Sequence, residues 1–252
     1  MLEHEYDIMR QVEDQHWWYA ALRNMVVKDV RALLKGRNLG SILDAGCGTG
    51  GMLQRLHDAD SAWQISGIDF SSQAVAYSQQ RGLTDVRQGS VNGLPFDSES
   101  RDVIVSLDVL YHEGVNESAA LAEFARVLKP GGSLILNLPA FEILRGSHDI
   151  AVHGARRYTP QRVAEILKQA GLNVEVLHCW NAFLFPPVLV ARLLSRFTNK
   201  AEAGETKGDL VAPNPVLNAI LTGIAAVDTR LTRLLSCLIG TSVYAVASKP
   251  AA

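Results

Sequence analysis

The stretch Ser41-Ile-Leu-Asp-Ala-Gly-Cys-Gly-Thr-Gly-Gly51 decides how this chain is read: an apolar run passes straight into glycines and then into a segment of helical pattern. Glycine suits a backbone that must turn tightly and let a ligand approach its peptide groups, and the N–H groups opening the next helix favour a negatively charged ligand group. Gly46, Gly48 and Gly51 satisfy G-x-G-x-x-G, and Asp69 ends the next apolar run about 20 residues on, the place of a ribose-binding acid. Asp44 narrows the ligand. A carboxylate just before the glycines repels a pyrophosphate, yet attracts a ligand that carries an ammonium and a sulfonium. Taken singly, either aspartate could be a helix or turn cap. Placed at two strand ends around the glycines, they favour ligand binding.

Outward from this turn, short apolar runs alternate with amphipathic segments, the pattern of βα units around a parallel sheet. Strands are expected at Ser41–Ala45, Gln64–Asp69, Val86–Gln88, Asp102–Leu107, Ser133–Leu138, Asn173–Trp180 and Ser242–Ser248. Helices are expected at Gly50–Leu56, Ser72–Arg81, Ser118–Val127 and Pro160–Ala170, the last with Thr159 as N-cap and Gly171 just past its end. One long helix is expected over Arg10–Leu34. The fold class is therefore α/β, a seven-stranded doubly wound, Rossmann-like sheet. Three parts follow: an N-terminal helical lid over 1–36, a core of 37–180 with 241–252, and a helical insertion over 181–240. Within the insertion, a helix near Leu189–Phe197 and a polar, mobile stretch Asn199–Asp209 precede a helix from Pro215 to about Leu238. There Val216, Ile220, Ile224, Val227, Leu231, Leu234 and Leu238 recur at three- and four-residue steps, which predicts a buried stripe.

Composition excludes other classes. The 252 residues are 48% apolar and 20% charged, an ordinary globular mixture, and the formal charge of −2 offers no basic excess for a nucleic-acid partner. Three scattered cysteines suggest neither disulfides nor a metal site, so a reducing cytoplasm is the expected location. The first residues carry no basic and apolar leader, and Met1 is read as the mature start. Prolines interrupt the longest apolar runs, so no transmembrane segment is expected.

The ordered motifs LDAGCGTG (Leu43–Gly50), GIDFS (Gly67–Ser71), GSVNGLPF (Gly89–Phe96) and RVLKPGGSL (Arg126–Leu134) resemble the class I S-adenosylmethionine-dependent methyltransferases, especially the small-molecule group described as domain types 11 and 12. The resemblance is dense from Leu39 to Gly171. It implies S-adenosylmethionine as cofactor and S-adenosylhomocysteine as product. Gly46, Cys47, Gly48, Thr49 and Gly50 would wrap the methionine moiety. Asp69 would bind both ribose hydroxyls, and Phe70 would pack on adenine. Ser90 and Val91 stand where relatives carry an acid and an apolar residue beside the adenine amino group. Leu107 would lie beneath the transferring methyl. Glu13-Asp-Gln-His-Trp-Trp-Tyr19 resembles the HWW entry of the subgroup, and as a lid Trp18, Tyr19 and Arg23 would close over the methionine end, with Arg23 pairing its carboxylate.

In doubly wound sheets the acceptor approaches beyond the carboxyl ends of the strands. The loop after the fourth strand holds Tyr111 and His112. The loop after the fifth holds His148 and His153-Gly-Ala-Arg-Arg-Tyr-Thr159, which resembles a GHxRRYT stretch of these enzymes. Methyl transfer from a sulfonium chiefly needs alignment and exclusion of water, and a base helps when the acceptor is protonated at neutral pH. His153 and His112 are the candidate bases. Tyr111, His148, Arg156, Arg157 and Tyr158 are candidates for acceptor binding, the arginines through bidentate contact with an acidic group. The expected function is methyl transfer to a small molecule such as a secondary metabolite, sugar or lipid-linked intermediate, with a hydroxyl favoured. The insertion would cover the acceptor, pair with a second copy, or touch a membrane surface, and because few Lys or Arg flank the stripe, cover or pairing is favoured over an anionic lipid surface. A nicotinamide-dependent oxidoreductase fits the glycines but neither Asp44 nor the LKPGG turn, and a catalytically silent cofactor-binding protein is the third reading.

Overall fold

The computed structural model describes residues 3–36, 39–198 and 214–251. The chain runs α1 (Glu3–Val12), α2 (Trp17–Leu33), β1 (Gly40–Ala45), α3 (Gly51–Ala59), β2 (Trp63–Asp69), α4 (Ser72–Gln80), β3 (Val86–Gln88), β4 (Arg101–Leu107), α5 (Glu117–Val127) and β5 (Leu128–Pro139). It continues through α6 (Ser147–Ala151), α7 (Pro160–Gln169), β6 (Asn173–Trp180), α8 (Phe185–Thr198), α9 (Pro215–Leu234) and β7 (Ser242–Ser248). The strands lie in the order β3-β2-β1-β4-β5-β7-β6, with β7 antiparallel to both neighbours and the pairings from β3 to β5 all parallel.

Strands covered on both faces read as unbroken apolar runs, and β1 is buried along its whole length. Successive residues serve opposite faces. Leu43, Ile104 and Leu134 join α5 and α7 (Phe124, Ile166) in one core, whereas Ile42, Val103 and Ile135 join α2 and α3 (Val26, Leu56) in the other. The α7 helix is capped as its sequence predicts: Thr159 accepts from the Arg162 N–H at 3.2 Å, and Gly171 takes φ +76°.

Three expectations change. The predicted Arg10–Leu34 helix is two helices, because His16 takes an extended backbone and its Nδ1 caps α2 by accepting the Trp18 N–H at 3.2 Å. The break turns Glu13 inward. The α2 helix then packs on the sheet through Leu22, Val26 and Val30, leaving α1 over the glycine turn. Second, the LKPGG segment lies within β5: Leu128 pairs with Arg101 and Ser133 with Val103, so the residues between them bulge out.

Third, the apolar stripe of α9 faces outward. Val216 is 69% and Leu234 79% exposed, while Ala225, Asp228 and Thr232 form the buried side. The reason is polar anchoring. Asp228 accepts the backbone N–H groups of Asn181 and Phe183, and Asn218 accepts the Trp17 N–H at 2.9 Å while donating to the Gln15 carbonyl at 2.8 Å. The stretch expected to be mobile, Asn199–Asp209, lies outside the described residues.

Candidate active site

The glycine turn is built by backbone. The N–H groups of Gly46 and Cys47 both donate to the Ile68 carbonyl, at 2.8 and 3.0 Å, tying the end of β1 to the end of β2. Gly46 has φ +89° and a side chain there would run into Val109, while Gly50, at φ +85°, opens α3 with no side-chain cap. Cys47 is buried, and burial raises its thiol well above the ordinary range, so its side chain is packing.

Both acids stand at this turn. One oxygen of Asp69 accepts the Gly48 N–H at 2.8 Å. The other accepts the Ser71 N–H at 2.9 Å and the Tyr6 hydroxyl at 3.4 Å. Asp44 is 2% exposed, and its Oδ2 has no hydrogen-bond partner among the described residues. Burial, with Asp69 adding to it, pushes the Asp44 carboxyl up to about 8. A buried, orphaned carboxylate oxygen beside a glycine cradle fits an ammonium-bearing cofactor, which would satisfy the oxygen and restore its charge. No group of three or more His, Cys, Asp or Glu among the described residues is placed to hold a metal.

The cover over this turn comes from α1. Asp7 accepts from Gln73 and Tyr77, both at 2.6 Å, fastening α1 to α4. Glu13, 4% exposed, accepts from the Thr49 hydroxyl, from Arg23, and from Arg81 at 2.6 Å. Arg23, expected to pair with a cofactor carboxylate, is thus already bonded to Glu13 and lies 3.5 Å from Asp14, so a ligand carboxylate has to compete for it. Trp18 stacks on Trp180 at 5.6 Å and meets Tyr19 edge-on at 5.1 Å, while the Arg23 guanidinium lies over the Tyr19 ring. Of the residues expected at the adenine end, Phe70 is 79% exposed and Val91 is buried. Ser90 accepts the Asn92 N–H at 3.2 Å. Leu107 is half-buried against the α2 side of the sheet.

At the carboxyl end of β4 stands Asp108, a residue the sequence reading passed over. Its φ is +54°, a strained setting for a residue with a side chain. Asn137 holds it twice: Asp108 N–H donates to the Asn137 carbonyl at 2.8 Å, and Asn137 Nδ2 donates to Asp108 Oδ2 at 2.8 Å. Trp180 Nε1 in turn donates to Asn137 Oδ1 at 2.8 Å. Burial pushes the Asp108 carboxyl up to about 7. The signal was available: an aspartate directly after an apolar strand, as at Asp44 and Asp69.

The acceptor-side candidates separate. Tyr111 is buried and packs on His112, ring centroids 4.2 Å apart. His112 Nδ1 lies 2.8 Å from the Val152 carbonyl, which can only accept, so this nitrogen carries the proton. Burial lowers its pKa to about 4, making it a weak base. His153 is 47% exposed, with Nδ1 3.9 Å from Glu113. His148 lies in α6, its side chain outside the described residues. Arg156 donates to the Val115 carbonyl at 3.1 Å.

Arg157 and Tyr158, expected to bind the acceptor, both have partners within the fold. Arg157 gives Nε and Nη2 to Asp149 at 2.8 and 3.1 Å and Nη1 to the Ala140 carbonyl at 2.9 Å. Tyr158 is 1% exposed and donates to the Leu110 carbonyl at 3.1 Å.

Residues 43–136 match the family model described as "Methyltransferase domain". Among curated proteins, the chain is 29% identical over 181 residues to "Probable tRNA methyltransferase 9B" of Bos taurus, covering 69% of this chain and 38% of that protein. It is 32% identical over 178 residues to "Phthiotriol/phenolphthiotriol dimycocerosates methyltransferase 1" of Mycobacterium ulcerans, covering 64% of each. The chain spans 27 to 38% of the length of the tRNA methyltransferase relatives it matches. Of solved structures, Haemonchus contortus phosphoethanolamine N-methyltransferase 2 with S-adenosyl-L-methionine superposes with a TM-score of 0.58 at 18% identity, over 90% of this chain and 52% of that one.

Proposed function

The chain carries a class I S-adenosylmethionine-dependent methyltransferase domain, and from that premise we propose that it transfers the methyl group of S-adenosylmethionine to a small-molecule acceptor: a secondary metabolite, a sugar or a lipid-linked intermediate, through a hydroxyl. The observation that carries this reading is the orphaned Asp44 oxygen beside the Gly46–Gly50 turn, with Asp69 at the neighbouring strand end. The cofactor supplies a methyl on a sulfonium, an excellent leaving group. The chain's part is to bind, to align and to exclude water.

Asp44 would hold the cofactor ammonium and Asp69 the ribose hydroxyls. The Asp69 contacts to Tyr6 and the Gly48 N–H are replaceable, the former at 3.4 Å being long. Phe70 is free to pack on adenine. Asp108 would take the acceptor's proton, since it lies at the end of β4 with a carboxyl poised near neutrality, as a base should be. His112 is better suited to shaping the wall. A formal charge of −2 supports a small acceptor over RNA.

Calorimetry with S-adenosylhomocysteine and with NAD tests the cofactor. Binding of the nucleoside is expected, and binding of NAD alone would overturn the assignment. Methyl transfer into hydroxylated metabolites, lipid-linked sugars and bulk tRNA then separates the acceptor classes, and incorporation into tRNA alone would refute the small-molecule reading.

A further inference from the structure

A buried carboxylate beside the glycine turn is supplied by the chain itself. Glu13 stands just past α1, and donors from three different elements converge on it: the Thr49 hydroxyl of the turn, Arg23 of α2 and, at 2.6 Å, Arg81 at the end of α4. A side chain on Gly51 would run into both the Glu13 carboxylate and the Arg23 guanidinium, so this ion pair lies directly against the first residue of α3. That helix opens with no side-chain cap, and its positive end favours an anion. Two arginines, a hydroxyl and a helix end thus form a carboxylate subsite, and the chain fills it from within.

The same helix makes a second contact of this kind. Tyr6 directs its hydroxyl to Asp69 at 3.4 Å, the acid expected to hold the ribose hydroxyls. Between the two, the Met9 sulfur would lie 3.3 Å from a Cβ on Gly48, and the Glu13 N–H donates to the Met9 carbonyl at 2.8 Å, continuing the helical turn. Tyr6, Met9 and Glu13 are three and four residues apart and share one side of the helix. Along that side α1 presents the glycine turn with a hydroxyl and a carboxylate, two of the polar groups that a nucleoside cofactor with an amino-acid tail would bring.

The two N-terminal helices are held differently. Among the described residues, α1 contributes nothing to the buried apolar clusters and is fastened by polar contacts, Asp7 to Gln73 and Tyr77 besides those of Tyr6 and Glu13. By contrast, α2 packs on the sheet through Leu22, Val26 and Val30. Polar contacts can be exchanged for a ligand's; apolar packing cannot.

We propose that Glu13 and Tyr6 are internal stand-ins for the carboxylate and the ribose hydroxyls of the cofactor, so that S-adenosylmethionine enters by exchanging its groups for theirs and releases α1 while α2 stays in place. One carboxylate replaces another on the same two arginines. The buried cations therefore stay paired in the empty site and in the filled one, and the affinity is lowered by the fraction of time that α1 occupies the turn. This rests on the cofactor assignment and adds to it a competitor built into the chain.

Amide exchange of the unaltered chain tests it, with and without S-adenosylhomocysteine. Exchange across α1 should speed up on binding while that of the glycine turn slows; a helix that closes over the ligand would slow instead, and that result would overturn the proposal. Calorimetry gives a second measurement. Glu13→Gln should bind S-adenosylhomocysteine about tenfold more tightly, as for a parent site open about a tenth of the time. Binding of 5′-methylthioadenosine, which has the nucleoside but no carboxylate to put in the place of Glu13, should show no such gain. Tyr6→Phe drops only a long hydrogen bond and should gain less, for both ligands. In Glu13→Gln, Arg23 and Arg81 keep Asp14 at 3.5 and 3.0 Å and Arg81 keeps the Thr49 carbonyl at 2.8 Å, so the variant is expected to fold, which circular dichroism checks. Unchanged or weaker S-adenosylhomocysteine binding by folded Glu13→Gln would refute the stand-in. Absence of binding by the parent and both variants would instead remove the cofactor assignment, and the proposal with it.

Discussion

The ends of β1 and β2 and the α8–α9 insertion treat polar and apolar groups in opposite ways. Around the glycine turn, Asp44, Asp69, Glu13 and Thr49 are buried; Asp69, Glu13 and Thr49 are bonded to backbone or to neighbouring side chains, while Asp44 Oδ2 has no partner among the described residues. In the insertion, the buried Asp228 and the half-buried Asn218 anchor α9 while the aliphatics face out. The first region has polar groups gathered for a ligand to complete. The second leaves apolar groups uncovered among the described residues. Burial alone therefore identifies neither site; the informative quantity is what each group still lacks.

The sharpest way to break the contrast is to remove the group taken as base. Asp108→Asn keeps the contacts to Asn137 nearly isosteric, and turnover should fall by about 10²–10⁴ while S-adenosylhomocysteine affinity holds. In the parent, turnover should rise with pH through about 7, because the group must be ionised to accept a proton, and the variant should lose that limb. A variant with full turnover would return Asp108 to the merely structural groups.

Arg157 tests the opposite claim, that a conspicuous charge in the acceptor loop is structural. Arg157→Met leaves Asp149, 2% exposed, as an unpaired buried carboxylate, and should cost about 3–5 kcal/mol in urea unfolding. An acceptor-binding arginine would instead show a raised KM with stability kept.

That pair of residues shows where the sequence was legible. The seven strands could be read, with close boundaries except at the start of β5, because apolar runs and turn chemistry are local, and the glycine turn could be read because its glycines and acids lie within one βαβ unit. The partners of Arg157 and Tyr158, Asp149, Ala140 and Leu110, come from other turns of the chain, which spacing does not reveal. The α9 stripe misled for a related reason. Periodicity says that one side of a helix is apolar; the polar bonds of Asp228 and Asn218 decide which side meets the fold. The break at His16 depends on a single side-chain cap, too small a signal to interrupt a helical pattern.

Asp44→Asn sharpens the description of the glycine turn. It removes one charge-assisted hydrogen bond to the cofactor ammonium, about 1.5–3 kcal/mol, or roughly 10- to 100-fold in S-adenosylhomocysteine affinity. Ligand-free stability at neutral pH should not fall, since the carboxyl raised to about 8 is there a burden on the fold. An asparagine variant that melts earlier yet binds as before would make Asp44 an ordinary core residue.

The smallest effect is the pH slope. A carboxyl whose folded pKa lies above its unfolded one binds more protons in the folded state, so ligand-free stability should decline as pH rises from the ordinary carboxylate range toward about 8. Binding of an ammonium runs the other way, because it requires the ionised acid. Below about 8, complex formation should therefore release a proton, and affinity should climb by at most about tenfold per pH unit before levelling. Calorimetry of S-adenosylhomocysteine in buffers of different ionisation enthalpy measures that proton directly. Its disappearance in Asp44→Asn would assign it to Asp44, whereas its persistence would move it to Asp69, whose carboxyl burial also raises. The distinction matters physically, because only Asp44 lacks a donor for one oxygen and so stands to gain most from a bound cation.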